Sequence, residues 1–193
     1  MQNEIELIHI TPNASEMISR IAQVCYQSKN PVPVYHLVDR GHLSVLEHAT
    51  ATFRIKCSIQ MLLQLTRHRH LSFTVQSSRG SELNGHYETG DKFIDPFIHT
   101  FMENYKRLME RREYKKEDLA YLLPKGAMYE VFVTGNLRAW YEYLPKRMCA
   151  RSQKEHQKVA CMIQEILAKE EPLIFENLTA PCSTCKEERC DFA

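Results

Sequence analysis

The densest chemistry in the chain lies in Arg67-His68-Arg69-His70-Leu71-Ser72-Phe73-Thr74-Val75-Gln76-Ser77-Ser78-Arg79. Three arginines and two histidines flank hydroxyl and amide groups. Arginine forks bind phosphate bidentately, and serine hydroxyls with backbone N–H groups complete an anion cradle. Two basic foci, at residues 67–69 and at Arg79, can serve two phosphorylated ligands. A solvated basic turn and a nucleic-acid patch are the competing readings of the same residues. Against the second, 25 Lys and Arg stand against 24 Asp and Glu, so basic chemistry in this chain is local. Ser77 tempts a nucleophile reading, but no base with its own orienting group adjoins it in sequence.

The elements that must position this segment are legible from hydrophobic period. Thr50 to Cys57 alternates, with Ala51, Phe53, Ile55 and Cys57 on one face, as a half-buried strand does. Ser58 is placed to cap a helix through about His68. That helix is apolar over most of its circumference, with Gln60, Gln64 and Arg67 as its polar stripe. Residues 4–10 form a short β-branched run, after which a helix capped by Asn13 or Ser15 is expected through about Ser28, and a short helix over 33–40 ending before Gly41. Residues 80–92 read as a polar loop, Pro96 to Arg112 as a helix and Met128 to Thr134 as a strand. Asn136 is placed to cap a helix with the apolar face Leu137, Trp140, Tyr141, Leu144 and Met148. Pro145 lies inside it and predicts a kink. A last helix is expected from Ser152 to Glu170. The order is mixed α/β, a small sheet with long helices.

Length and composition bound the rest. At 193 residues and 22.6 kDa the chain reads as a single domain over 1–193 with a cysteine-containing tail at about 180–193. No apolar run reaches the roughly 18 residues of a membrane span, and the N-terminus lacks a signal-peptide pattern. A cytoplasmic protein is expected, in which Cys25, Cys57, Cys149 and Cys161 act as small buried hydrophobes. Cys182, Cys185 and Cys190 supply three thiols with no nearby histidine, so no metal site is expected.

Arg67-His68-Arg69 followed by seven residues and Ser77 resembles the signature of the flavin-dependent thymidylate synthases. His42-Leu43-Ser44-Val45-Leu46-Glu47-His48 resembles the same family's His-x-Ser-x-x-Glu-His segment. Leu122-Leu123-Pro124 and Thr134-Gly135-Asn136-Leu137-Arg138-Ala139-Trp140, with Arg147 beyond, resemble its later blocks. The four blocks keep their order over about residues 40–155.

The resemblance implies an α+β fold with a small, mostly antiparallel sheet, and a homotetramer with active sites shared between subunits. It implies methylation of dUMP to dTMP, with FAD as redox relay, methylenetetrahydrofolate as one-carbon donor and NADPH as reductant. FAD would meet His42, Ser44, Arg67, His68, Arg69, Asn136, Leu137 and Arg138. dUMP would meet Gln64, Arg67, Gln76, Ser77, Ser78, Arg79 and Arg147, and Arg147 would stabilise charge developing on the uracil. Catalysis of this kind needs no enzyme nucleophile, only positioning and electrostatics. Four positions depart from the pattern: Val75, Ala120, where an arginine helping to bind the nucleotide is implied, Glu142 and Arg151. They leave open the same flavin chemistry on UMP or another pyrimidine nucleotide; from a different class, a nucleotide- or RNA-binding module using residues 67–79 is the other alternative.

Overall fold

The computed structural model describes residues 2–186 and 190, so most of the 180–193 tail beyond residue 186 lies outside the described residues. In chain order the elements are β1 (Glu4–Ile10), α1 (Ala14–Tyr26), α2 (Val34–Asp39), β2 (Thr50–Ser58), α3 (Ile59–Leu65), β3 (Ser72–Val75), α4 (Ile94–Arg111), α5 (Lys116–Leu119), β4 (Met128–Asn136), α6 (Leu137–Met148), α7 (Lys154–Glu170) and α8 (Pro172–Phe175). A 3-10 turn, Leu43–His48, precedes β2. The strands form one sheet in the order β1-β2-β4-β3. Its register is antiparallel: Glu4 meets Lys56 and Glu6 meets Arg54, while Thr52 meets Thr134 and Arg54 meets Glu130. The α+β expectation holds.

The chain divides into two compact units. The first holds residues 2–6, 54–67 and 73–133. Its apolar cluster joins Met102, Tyr105 and Met109 of α4 to Leu119 and Ala127. Asp91 begins α4 by accepting from the amides of Phe93 and Ile94, so the helix starts ahead of the Pro96 expected from sequence. The 80–92 loop is irregular but anchored, with Leu83 fully buried and a single bridge from His86 to Ala127.

The second unit holds residues 7–53, 68–72 and 134 onward. Here α6 packs on α7 and on the 3-10 turn. Asn136 caps α6 as expected, its Oδ1 accepting from Ala139 N at 2.8 Å. Trp140 is wholly buried; its indole donates to Ala51 O at 3.1 Å and its ring meets Phe53 edge-on at 5.2 Å. Truncating it to alanine would cost about 3–5 kcal/mol. A Cβ on Gly135 would run into a methyl of the buried Leu71 side chain, which would have to shift to admit it.

Three local expectations are corrected. The cap of α1 is not its own Asn13 or Ser15: Glu171 accepts from Ala14 N at 3.1 Å and from the Ser15 hydroxyl. The second inward aromatic of α6, after Trp140, is Tyr143 and not Tyr141, which stays half-exposed. Cys25 is exposed, while Cys57 is buried and Cys149 and Cys161 are partly so.

Candidate functional site

The basic segment folds as a turn between α3 and β3. The Ser58 hydroxyl accepts from Met61 N at 3.1 Å and starts α3 as expected. The helix stops at Leu65, short of His68: Arg67 N bonds back only three residues, to Gln64 O at 3.3 Å, and the Thr66 hydroxyl donates to Leu62 O at 3.0 Å. Its exposure also differs from expectation, since Leu63 is 56% exposed. In the turn, Leu71 is buried and His68 half-buried, while Arg67, Arg69 and His70 are exposed. Arg67 and Arg69 have no ion pair among the described residues.

In the second unit His68 meets a buried polar group. Arg147 Nε donates to His68 Nε2 at 2.9 Å. An imidazole nitrogen that accepts carries no proton, so His68 is the neutral tautomer with hydrogen on Nδ1. Burial, and then the charges of Arg147 and Lys146, hold its pKa at about 4. The His68 ring lies edge-on to Tyr143 at 4.6 Å, and the Tyr143 hydroxyl is 2.8 Å from Nε2 of His156. His156 is fully buried, with its pKa lowered to about 3 by burial and then by Arg147 and His68. Arg147 therefore has a neutral partner on Nε and both Nη groups unpaired among the described residues.

At the start of α6, Arg138 takes the opposite kind of partner. Its Nη1 donates to Glu47 at 2.6 Å and its Nε to Glu142 at 2.8 Å. Glu47, His70, Asn136, Arg138, Ala139 and Glu142 line a cavity of about 300 Å³. His42 lines another of about 310 Å³ with His36, Leu37 and Arg40. Ser44 is exposed on the 3-10 turn and Leu137 is buried at the first position of α6.

In the first unit, Ser77, Arg79 and Gly80 line a cavity of about 520 Å³ with Lys115, Lys116 and Glu117. Arg79 N donates to Ser77 Oγ at 3.3 Å, and the Arg79 guanidinium pairs with Glu117 at 3.2 Å. Ala120 lines a neighbouring cavity with Arg79, Asp118 and Tyr121. Gln76 is tied into the sheet end: its Oε1 accepts from Glu130 N and its Nε2 donates to Ser81 Oγ. Gln64 and Ser78 are half-buried.

The structure thus brings together His68 with Arg147, Asn136 with Arg138, and Ser77 with Arg79. Sequence reasoning missed Tyr143, His156, Glu47, His70 and the Lys115–Glu117 run as neighbours of these groups. Tyr143 and Arg147 are i and i+4 on one helix, a spacing that shares a face and was there to be read. His156 and Glu117 come from other elements and left no local signal. Among the described residues no group of three metal-ligating side chains occurs, and no helix is long and apolar enough to cross a membrane.

The family model for the thymidylate synthase complementing protein, Thy1, matches residues 6–173. A flavin-dependent thymidylate synthase of Pyrococcus horikoshii is 31% identical over 88% of this chain and 81% of its own length. That of Pyrococcus abyssi is 35% identical over 69% of this chain and 60% of its own length. The solved structure of Thymidylate Synthase X from Helicobacter pylori, with FAD and dUMP, superposes with a TM-score of 0.79 at 24% identity. It spans 91% of this chain and 98% of that one, and at that identity the likeness is one of fold.

Proposed function

The chain belongs to the flavin-dependent thymidylate synthases, the Thy1 family, and on that premise we propose that it methylates dUMP to dTMP with FAD, methylenetetrahydrofolate and NADPH. The observation that carries the reading is Arg147, a guanidinium held through Nε by a neutral imidazole and open at both Nη groups. Such a group keeps its whole positive charge for an electron-rich ring that gains negative charge in the transition state.

The residues suit both ligands. FAD carries a pyrophosphate, which asks for arginines not already neutralised, and Arg67 and Arg69 are such arginines. Asn136, Arg138 and His70 add donors around a cavity at the start of α6. His42, Ser44, His68 and Leu137 complete the assignment to flavin. When bound, FAD supplies the hydride and relays the one-carbon unit.

The nucleotide phosphate is assigned to Ser77, Ser78 and Arg79, with Lys115 and Lys116 on the same cavity wall. Those lysines compensate for the arginine missing at Ala120. A phosphate dianion brings more charge to Arg79 than the Glu117 carboxylate it displaces. Gln64, Gln76 and Arg67 complete the dUMP assignment. In this reading residues 1–193 form one catalytic domain that works as a homotetramer. An apolar stripe on α4, with Phe97 69% and Phe101 52% exposed, is the kind of face such assembly covers.

The test is spectroscopic. Purified protein mixed with FAD and desalted should retain flavin absorption, and dUMP should perturb that spectrum at lower concentration than UMP. Protein that retains no flavin would overturn the reading, and a stronger response to UMP would move it to the ribonucleotide.

A further inference from the structure

Tyr143 is held at every side. Its ring is edge-on to Trp140 at 5.7 Å and to His68 at 4.6 Å, and its hydroxyl is bonded to His156 Nε2. His156 reaches in from the first turn of α7 and is 0% exposed. Its other nitrogen, Nδ1, has no hydrogen-bond partner among the described residues. An unpaired buried nitrogen is a standing cost, and two apolar side chains of the same shape would fill the space without it. A polar pair kept under that penalty, against a residue that holds the charged group of the site, points to a task beyond packing.

We propose that Tyr143 and His156 are positioning residues: their buried hydrogen bond fixes the face on which His68 rests, and His68 thereby fixes which guanidinium nitrogens Arg147 turns toward the substrate. The chain of contact is short. The Tyr143 ring cannot swing while its hydroxyl is tied. The His68 ring then keeps Nε2 aimed at Arg147 Nε. With Nε occupied, Arg147 presents its two Nη groups as a fork. The charged and titratable groups facing His68 are Tyr143, Lys146 and Arg147 from α6 and His156 from α7.

The inference rests on the function proposed above, and its test separates the two. The variant Tyr143→Phe/His156→Leu replaces the bonded pair by an apolar one, so the core stays filled. The full-length variant is expected to fold and to take up FAD as the parent does. Its kcat on dUMP should fall by about 10- to 100-fold, because a small misplacement of a charge-stabilising group costs that much, while KM for dUMP moves by less than about threefold. Without any substrate, histidine-selective NMR should show the His68 ring in the parent as one tautomer, protonated at Nδ1. In the variant His68 should titrate closer to its ordinary range and populate both tautomers. A variant with parental kcat and an unchanged His68 titration would overturn the proposal. If the double variant fails to fold, Tyr143→Phe alone, which removes one oxygen, is read by the same two criteria. A parent that turns over no dUMP would sink the proposed function, and the His68 titration would still decide this one.

Discussion

Arg79 and Arg147 are each held by one neighbour, and the neighbours are opposite in kind. Arg79 stands in solvent, its side chain 79% exposed, and leans on the carboxylate of Glu117. Arg147 is half-buried and leans on the neutral ring of His68. An exposed ion pair is worth little, so Arg79 can exchange Glu117 for a phosphate at small cost. A neutral partner leaves the charge of Arg147 uncompensated until a substrate arrives. One arrangement suits an anchor that must release its ligand, the other a group that stabilises charge while bonds change. Arg138 belongs with the first kind, held between Glu47 and Glu142.

The largest effect should come from Arg147. Replacing it by alanine should lower kcat by about 100- to 1000-fold with FAD uptake unchanged. Lysine should not rescue it, since the N–H groups of an ammonium diverge from one nitrogen and offer the ring no planar fork once one is spent on His68. Steady-state rates with dUMP decide this, and full rescue by lysine would erase the contrast with Arg79.

Acid should act on the buried side of the comparison. In the unfolded chain a histidine takes its proton near pH 6.5, whereas folded His68 and His156 wait until about 4 and about 3. Between those limits the unfolded state binds more protons, so stability is complete above about pH 6.5 and falls as pH drops. Fully buried His156 alone contributes a slope of up to about 1.4 kcal/mol per pH unit. Thermal melts should therefore show Tm declining from pH 7 to pH 5, with a shallower decline in Tyr143→Phe/His156→Leu. Equal slopes in the two proteins would show that these histidines are not the cause.

Smaller effects belong to the exposed side. Arg79→Ala should weaken dUMP binding by about 10-fold or more, the loss of a charge-assisted contact. Glu117→Gln should tighten it by no more than about fivefold, because the pair it breaks is a surface one. Isothermal titration measures both, and tighter binding without Arg79 would remove it from the phosphate site. Ala120→Arg, adding a cation beside Arg79 in the neighbouring cavity, should tighten dUMP by only about threefold. A larger gain would mean that Lys115 and Lys116 do not make up for the missing arginine.

The same division runs through what could be read from sequence. The alternation of β2 and the Ser58 and Asn136 caps were legible because each depends on residues within one or two turns of chain. Glu171 capping α1 was not, since the partners lie 157 residues apart. Nor was the end of α3, where the chain tightens at Arg67 N to Gln64 O although apolar period alone would have continued the helix to His68. In the exposed candidate site Ser77 and Arg79 are two residues apart and could be proposed together from sequence, whereas Glu117 is brought to Arg79 across 38 residues. In the buried site Arg147 was named on resemblance alone and His68 as part of the basic segment, and the resemblance gave them different ligands. Their direct contact, and the Tyr143–His156 pair behind it, exist only once α6 and α7 are packed. The choice between Tyr141 and Tyr143 as the inward ring depends on that same packing.

The central claim is that these residues serve methyl transfer to dUMP, and one measurement meets it head on. Anaerobic reaction of the FAD-loaded protein with NADPH, methylenetetrahydrofolate and dUMP tritiated at ring carbon 5 should release tritium in step with dTMP. The account predicts catalytic release that requires all three co-reactants and is lost in Arg147→Ala. No release from dUMP, or release from UMP alone, would contradict it.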